Sequence, residues 1–405
     1  MIKVKNIITV LDIGSTKISC FIFKRLFADS YEVIGVFDSV SKGIKSGMII
    51  NLEAARYSIM QAVEGAAKIA SVDVKNVHIS LNSSFLISER SSADISLSTE
   101  EVTVKELNKL LFKILSRFNK EATEVIHTIP YEYILDGNRG ILHPLGLYGN
   151  KLTGLFHIIS VPANYVINLN KCLELCKIKI EAYVSTGYAA GMSCLKSEEK
   201  EFGCGLIEIG GGSTTVSLFH NDKFIFTDGI PFGGIDITKD ISKIFSIEMN
   251  VAEKIKNTQG LLIRKTTNDL YKEIKIELLD NQEYLINQKD LRDVMVARME
   301  EILFLLKNKL EEDDIKNLAN KIIFTGGGAT LIGMKDLVED VFGIKARIGI
   351  PNNCLGIPID FVRSDFAVPV GMIRCISDMN NYRNVFLEDK RGILNSTWRW
   401  FKENF

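Results

Sequence analysis

One short pattern occurs twice in this chain, and the pair constrains the fold more than any other feature. Ile7–Val10 is an apolar strand pattern that runs into Asp12-Ile13-Gly14-Ser15-Thr16, after which apolar residues resume at Ile18–Phe23. Gly205–Ile209 behaves in the same way, running into Glu208-Ile209-Gly210-Gly211-Gly212-Ser213-Thr214 and resuming at Val216–Phe219. Each copy reads as strand, glycine turn, strand. Either copy alone fits an ordinary tight turn. Two copies in one chain predict two related lobes whose turns face each other. With 405 residues the chain is long enough for more than one core.

Turns of this kind suit a phosphate. Gly14, Gly210, Gly211 and Gly212 allow backbone N–H groups to approach closely. Ser15, Thr16, Ser213 and Thr214 add hydroxyl donors, and Lys17 adds a positive charge. Asp12 and Glu208 can share a site with phosphate only through a cation, which points to Mg²⁺ held largely by its waters. A third motif, Ile322-Ile323-Phe324-Thr325-Gly326-Gly327-Gly328-Ala329, is a strand entering a glycine loop ahead of a helix. Gly326, Gly327 and Gly328 favour close approach of a base or ribose. The loop is not the dinucleotide fingerprint, because Leu331 stands where the third glycine belongs. Nor is Gly210–Thr214 a Walker loop, because no lysine precedes the hydroxyls. The expected ligand is ATP with Mg²⁺, bound in a cleft.

Helices are predicted over Asn51–Ala70, with Asn51 as cap, and over Thr103–Asn119, Pro162–Cys176, Met249–Thr258, Leu291–Leu310 and Met334–Val341. The resulting organisation places a first lobe at 1–82, an inserted α+β subdomain at 83–160, and the first lobe again at 161–200. The second lobe follows at 201–235, a small subdomain at 236–301, and the second lobe with a return to the first at 302–375. A polar linker is expected at 376–391 and a final helix at 392–405. Lys+Arg is 49 and Asp+Glu is 50, so the net charge of −1 argues against nucleic acid as a partner. The seven cysteines lack a ligand spacing and read as reduced thiols. The N-terminal apolar run is broken by Asp12 and Gly14, too early for a signal peptide, and no run reaches the ~18 residues of a spanning helix.

Gly392–Phe405 reads GILNSTWRWFKENF. On a helix, Leu394, Trp398, Phe401 and Phe405 share one face. Trp400 widens the apolar edge, and Arg399 and Lys402 lie opposite. Both tryptophans of the chain are in this segment. The pattern predicts an amphipathic helix lying on an anionic membrane surface. A terminal helix docked on its own core is the plainer alternative.

Asp12–Lys17, Glu208–Thr214 and Thr325–Gly328 resemble the phosphate-one, phosphate-two and adenosine motifs of the actin, sugar-kinase and heat-shock-chaperone superfamily. Within it, Gly43-Ile44-Lys45-Ser46-Gly47, Gly210–Thr215, and Phe342–Pro351 with Arg347-Ile348-Gly349 resemble the FtsA family of bacterial cell-division proteins. The resemblance runs nearly the full length. It implies an α/β, two-lobed, actin-like fold of duplicated ribonuclease H-like halves, with a small α+β insertion and a C-terminal amphipathic helix. It implies that Glu253 and Lys256 contact ribose or adenine, where the residues alone suggest a solvated i,i+3 pair. It implies that Arg298 lies in a site for the C-terminal tail of the tubulin-like FtsZ. Further copies of the chain, an anionic membrane and other division proteins, the last through the inserted subdomain, are the remaining implied partners. The implied location is peripheral, on the cytoplasmic face of the bacterial inner membrane at midcell.

The chain departs from the superfamily pattern in one place. Phosphate-two usually carries Asp, and Glu208 reaches one methylene further. Asn164, in Pro162-Ala163-Asn164, occupies the stretch where such ATPases place a polar group. It is a weak water positioner and cannot be a base. Slow or negligible turnover is therefore expected, with Asp12, Glu208 and Asn164 the candidates for any catalytic role. A small-molecule kinase would need a carboxylate base near Pro162–Asn164. A chaperone ATPase would carry a substrate-binding domain. A pilus-assembly relative shares the fold but typically lacks the terminal helix.

Overall fold

The computed structural model describes residues 6–387, apart from 28–29, 119–121, 264–271, 278–282, 313–314 and 352–356. The first lobe opens with three antiparallel strands, β1 (Ile7–Ile13), β2 (Lys17–Phe27) and β3 (Ser30–Val40). A two-residue hairpin of β4 (Ile44–Lys45) and β5 (Met48–Ile49) leads into helix α1 (Leu52–Ala70). Asn51 caps α1 as predicted, its Oδ1 accepting from the Ala54 N–H at 3.0 Å. The predicted apolar stripe is buried from Ala55 through Ile59, Ala62 and Val63 to Ala66. Strand β6 (Asn76–Leu81) then pairs parallel to β1.

The inserted subdomain is built from β7 (Ile87–Ser96), helix α2 (Val104–Phe118), β8 (Thr123–Leu135), β9 (Asn138–Ile141) and β10 (Lys151–Pro162). Its four strands form their own sheet in the order β7-β10-β8-β9. One apolar face of α2, including Leu107, Leu110 and Ile114, closes a separate small core against Leu152, Phe156 and Ile158. The chain returns to the first lobe through α3 (Ala163–Leu175), β11 (Lys179–Ser185), α4 (Thr186–Cys194) and α5 (Ser197–Phe202).

The second lobe repeats the first. Strands β12 (Cys204–Ile209), β13 (Thr214–His220) and β14 (Lys223–Ile230) form another antiparallel meander. Helices α6 (Gly234–Phe245) and α7 (Met249–Gln259), the two-stranded β15 (Glu273–Glu277) and β16 (Glu283–Asn287), and helix α8 (Gln288–Glu312) make up the small subdomain. The boundary expected at 301 falls inside α8. Strand β17 (Ile322–Thr325), helix α9 (Met334–Phe342) and β18 (Ala346–Ile348) complete the lobe. The two large sheets run β3-β2-β1-β6-β11 and β14-β13-β12-β17-β18. In each, a meander is followed by two parallel strands, so the duplicated hairpin reflects a duplicated lobe.

Helix α10 (Ala367–Leu387) crosses back onto α4 in the first lobe. It overturns one expectation, because the stretch read as a linker from 376 is helical to 387. The buried face Val370, Met372, Ile373 and Ile376 anchors the helix. No Gly or Pro interrupts the residues from Ser377 to Leu387, so helical hydrogen bonding propagates through them. The final segment 392–405, with Leu394, Trp398, Arg399, Trp400, Phe401, Lys402 and Phe405, lies outside the described residues. Among the described residues no helix is long and apolar enough to cross a membrane.

The α4–α10 crossing depends on small residues. A Cβ placed on Gly371 would stand 1.7 Å from the Ala189 carbonyl oxygen. Gly371→Ala must push the two helices apart. We expect it to destabilise the chain by about 1–3 kcal/mol, seen as a lower urea midpoint with an unchanged slope.

Candidate functional site

The two duplicated turns touch. A Cβ on Gly211 would lie 2.5 Å from Thr16 Cγ2, and one on Gly212 would lie 2.5 Å from Ser15 Oγ. Only residues without side chains permit this approach, which explains why the second turn is a run of glycines. The turns are tight: the Gly14 N–H donates to the Lys17 carbonyl at 3.0 Å and the Gly210 N–H to the Ser213 carbonyl at 2.9 Å. Helix α6 starts against the second turn, with the Gly234 and Ile235 N–H groups donating to the Gly210 and Gly211 carbonyls at 3.0 and 2.7 Å. The hairpin at Gly43–Gly47 forms a further wall, since Ser46 N lies 3.2 Å from the Cβ position of Gly212.

Each lobe brings one carboxyl to this junction, half-buried for Asp12 and buried for Glu208. Asp12 ends β1, and the Ser80 hydroxyl of the parallel neighbour β6 donates to its Oδ1 at 2.6 Å. Burial raises the Asp12 pKa, against the hydrogen bond from Ser80 and the charge of Lys17. Glu208 lies near the end of β12 and is 9% exposed. Burial, and then the negative charge of Asp12, push it up to about 8. Two desolvated acids, one of them raised by the charge of the other, favour a proton or a cation at the site. Among the described residues no group of three or more His, Cys, Asp and Glu side chains forms a metal cage. A cation here would be held by two carboxylates, with waters and phosphate oxygens completing its shell, which fits Mg²⁺.

Lys17 departs from its expected role. Its ammonium is 3.1 Å from Asp365 Oδ2 and 3.5 Å from Asp38 Oδ2, and it stands 3.7 Å over the Phe366 ring. The segment returning from the second lobe supplies two of these groups, a tertiary contact that local sequence does not announce. A phosphate reaches Lys17 only by drawing it from those partners. Asn164 is exposed on the first turn of α3 and makes no hydrogen bond to either turn or to Asp12 and Glu208. Its neighbour Tyr165 instead donates to the Gly47 carbonyl at 2.6 Å.

The third motif sits beside the second turn. Gly328 packs on Ile209, and Gly326 has φ 91°, a conformation open to glycine. A Cβ on Gly327 would meet nothing within 4 Å, so this loop faces open space. Lys256 is not the solvated side chain that the plain reading of its spacing suggests. It is 6% exposed and donates to the Gly234 carbonyl at 3.1 Å, Thr238 Oγ1 at 2.9 Å and Glu253 Oε2 at 2.6 Å. Against the burial penalty, bonds from Lys256 and Thr238 hold the Glu253 carboxyl below its usual range. A cavity of about 340 Å³ opens next to this group, between Asn257–Gly260 and Thr330–Ile332. Arg298 on α8 is also engaged. Its guanidinium donates to both oxygens of Asp240, at 2.5 and 3.1 Å, and to Glu301.

Sequence reasoning missed Ser80 and Asn82. The signal was the polar residues near the end of an apolar strand, in Ile79-Ser80-Leu81-Asn82. Only the parallel pairing of β6 with β1 shows that they end at the junction.

Two duplicated five-stranded halves, with an acid and a glycine turn contributed by each, define an actin-like protein. The architecture matches solved structures of that kind at low sequence identity. The PilM–PilN type IV pilus biogenesis complex covers 91% of this chain and 98% of its own, with TM-score 0.64 and 15% identity. MreB5 of Spiroplasma citri bound to AMPPNP covers 95% and 99%, with TM-score 0.57 and 14% identity. The sequence relatives are more specific. The cell division protein FtsA of Agrobacterium fabrum is 30% identical over 385 residues, covering 92% of this chain and 87% of the relative. That of Streptococcus pneumoniae is 30% identical over 351 residues, covering 85% and 75%. The family description "Cell division protein FtsA" matches residues 205–371, and that of the SHS2 domain inserted in FtsA matches 84–160, the segment of the β7-β10-β8-β9 sheet. The chain belongs to the FtsA family of cell division proteins.

The raised Glu208 pKa has a measurable consequence. Between the ordinary glutamate value of 4.5 and about 8, the folded chain holds a proton that the unfolded chain has already released. The stabilising effect of that proton is complete below the lower value and is lost as pH rises through the upper one. Glu208→Gln stays neutral throughout. We expect the stability of the variant relative to the parent to climb across this window by up to ~1.4 kcal/mol per pH unit and then level off. Urea midpoints of both proteins in metal-free buffer check this.

Proposed function

We propose that this protein is an ATP-binding, actin-like adaptor that tethers FtsZ filaments to the cytoplasmic membrane and assembles with its own copies at the division septum. The observation that carries the nucleotide part is the meeting of two glycine–hydroxyl turns, each with a carboxyl from its own lobe. Gly14, Ser15 and Thr16 on one side and Gly210–Thr214 on the other would surround the phosphates, with Mg²⁺ between Asp12 and Glu208. Gly326–Gly328, Glu253 and Lys256 would take the nucleoside end. The Mg²⁺ ion would neutralise phosphate charge there, while the protein's own groups fix the phosphates from two lobes at once.

Hydrolysis is secondary in this reading. Asn164 cannot act as a base, and the carboxylates of Asp12 and Glu208 would be taken up by the cation. The nucleotide then acts by its different affinity for open and closed lobes. The terminal segment 392–405 supplies the membrane contact through its Trp and Phe residues and its cations. Arg298 contributes to the FtsZ-tail site by exchanging one of its acidic partners for a carboxylate of the tail, a trade among charge-assisted bonds. The inserted subdomain serves neighbouring subunits and other division proteins. MreB5 bound to AMPPNP and the PilM–PilN complex are consistent with nucleotide binding and with pilus assembly as the second reading. The tryptophan-bearing terminal segment favours the first.

Vesicle pelleting tests the whole proposal. The full chain is expected to sediment with anionic vesicles and to carry an FtsZ-tail peptide down with it. A chain ending at residue 391 is expected to stay in the supernatant. Arg298→Glu is expected to reduce peptide capture about tenfold, the effect of roughly one charge-assisted hydrogen bond. ATP turnover at kinase-like rates of ~1–100 s⁻¹ would remove the switch reading.

A further inference from the structure

The first lobe reaches into the second turn with one side chain that the nucleotide reading does not use. Asn82 follows β6, two residues beyond the Ser80 that holds Asp12. Its Nδ2 donates to the hydroxyl of Ser213. Its Oδ1 is committed elsewhere, accepting from the Ser84 N–H at 2.8 Å. That second bond fixes the amide the right way round: the oxygen faces its own turn and the NH₂ group faces the junction. The surroundings hold it there. The Asn82 Cβ lies 3.1 Å from the Cβ position of Gly47, and Phe85, three residues on, stacks on Tyr165 with ring centroids 5.6 Å apart.

This donor is well placed along the site. Gly326 and Gly328 lie against Ile209, and Lys256 lies against Gly234, all of them on the second lobe. The nucleoside end therefore belongs on the second-lobe side of the turn. Ser213 closes the turn against Gly210 and is where the first lobe, through Asn82, meets it. A diphosphate anchored at the nucleoside end leaves this donor on Ser213. A triphosphate extends one group further.

We propose that Asn82 is the residue that distinguishes nucleoside triphosphate from diphosphate, by transferring its NH₂ donor from Ser213 to the terminal phosphate. The inference rests on the ATP reading and adds a specificity determinant to it. Asn82 acts by binding: its one acceptor is engaged, and an amide is no base at neutral pH. Occupancy by the terminal phosphate replaces a direct bond between the lobes with one that passes through the ligand. The alternative role for Asn82 is a clasp that only holds the lobes together, and such a clasp would affect both nucleotides alike.

The test is the affinity of the full chain for a non-hydrolysable ATP analogue and for ADP, each with Mg²⁺, in the parent and in Asn82→Ala and Asn82→Asp. Aspartate keeps the acceptor for the Ser84 N–H and the side-chain size, so it preserves the local fold while removing the donor. We expect both variants to bind the ATP analogue at least about tenfold more weakly, the aspartate more so through charge repulsion, and to bind ADP within about twofold of the parent. Equal losses for the two nucleotides, or no loss for either, would overturn the inference while leaving the ATP reading intact. Failure of the parent to bind any nucleotide would remove the reading and this inference together. Unfolding temperatures without nucleotide identify a variant that has lost its fold; if alanine does so, aspartate decides.

Discussion

Everything at the centre of this molecule depends on two turns being able to touch. Gly211 lies against Thr16, and Gly212 lies against Ser15 and the backbone of Ser46. Any side chain at these glycines would hold the lobes apart and remove the N–H groups from the space between them. The meander before each turn and the parallel strands beside it are the scaffolding that delivers the turn to that point. The same sheet order in both halves places the two turns symmetrically. The close approach also sets the electrostatics, because it buries Asp12 and Glu208 together.

That burial makes the junction unfavourable to an unpaired charge. Burial pushes Glu208 up to about 8 and raises Asp12 as well, so the protonated form of Glu208 is favoured at neutral pH. In the proposed reading a divalent cation would take the place of that proton, and phosphate oxygens would bring charge of the opposite sign to the cation. The longer Glu208 side chain alters the position of its carboxylate relative to an aspartate but leaves this balance intact. Binding chemistry is therefore well supplied. The uncharged polar side chains Ser80, Asn82 and Ser213 supply no base, being hydroxyls and an amide already engaged in hydrogen bonds, so any base would have to be Asp12 or Glu208 itself.

The parts of this arrangement legible in the sequence are those written in local pattern. The strand–turn–strand repeat, the capped α1 and the amphipathic α2 all follow from periodicity and from turn residues at fixed offsets. Helix α4 is not legible in this way, since Thr186–Cys194 is buried on almost every side and shows no polar face to set a period. The ammonium of Lys17 could not be placed either. Its partners Asp365 and Phe366 lie far along the chain, on the segment that returns from the second lobe to meet β2. Lys256 illustrates the same point from the other side. Its spacing to Glu253 suggests a surface pair, and only the packing of α7 on α6 turns it into a buried donor at Gly234 and Thr238.

The inserted subdomain is joined to this centre by more than its covalent ends. His157 of β10 is fully buried, and burial pushes it down to about 3, so the ring is neutral. Its Nδ1 donates to the Phe224 carbonyl at 2.9 Å, which leaves Nε2 as the acceptor for the Ser88 hydroxyl at 2.8 Å. Ser88 in turn accepts from the Thr227 N–H at 3.2 Å. Two strands of the inserted sheet, β7 and β10, are thus bonded to β14 of the second lobe through one fixed tautomer. Strand β14 pairs along its length with β13, and β13 begins at Thr214, in the second turn. Shifting that turn by sliding the β13–β14 ribbon requires either breaking a buried hydrogen-bond chain, with its unsatisfied groups left in a dry interior, or moving the inserted sheet with it. The surface that this family's inserted domain presents is therefore mechanically tied to the place where the two lobes meet.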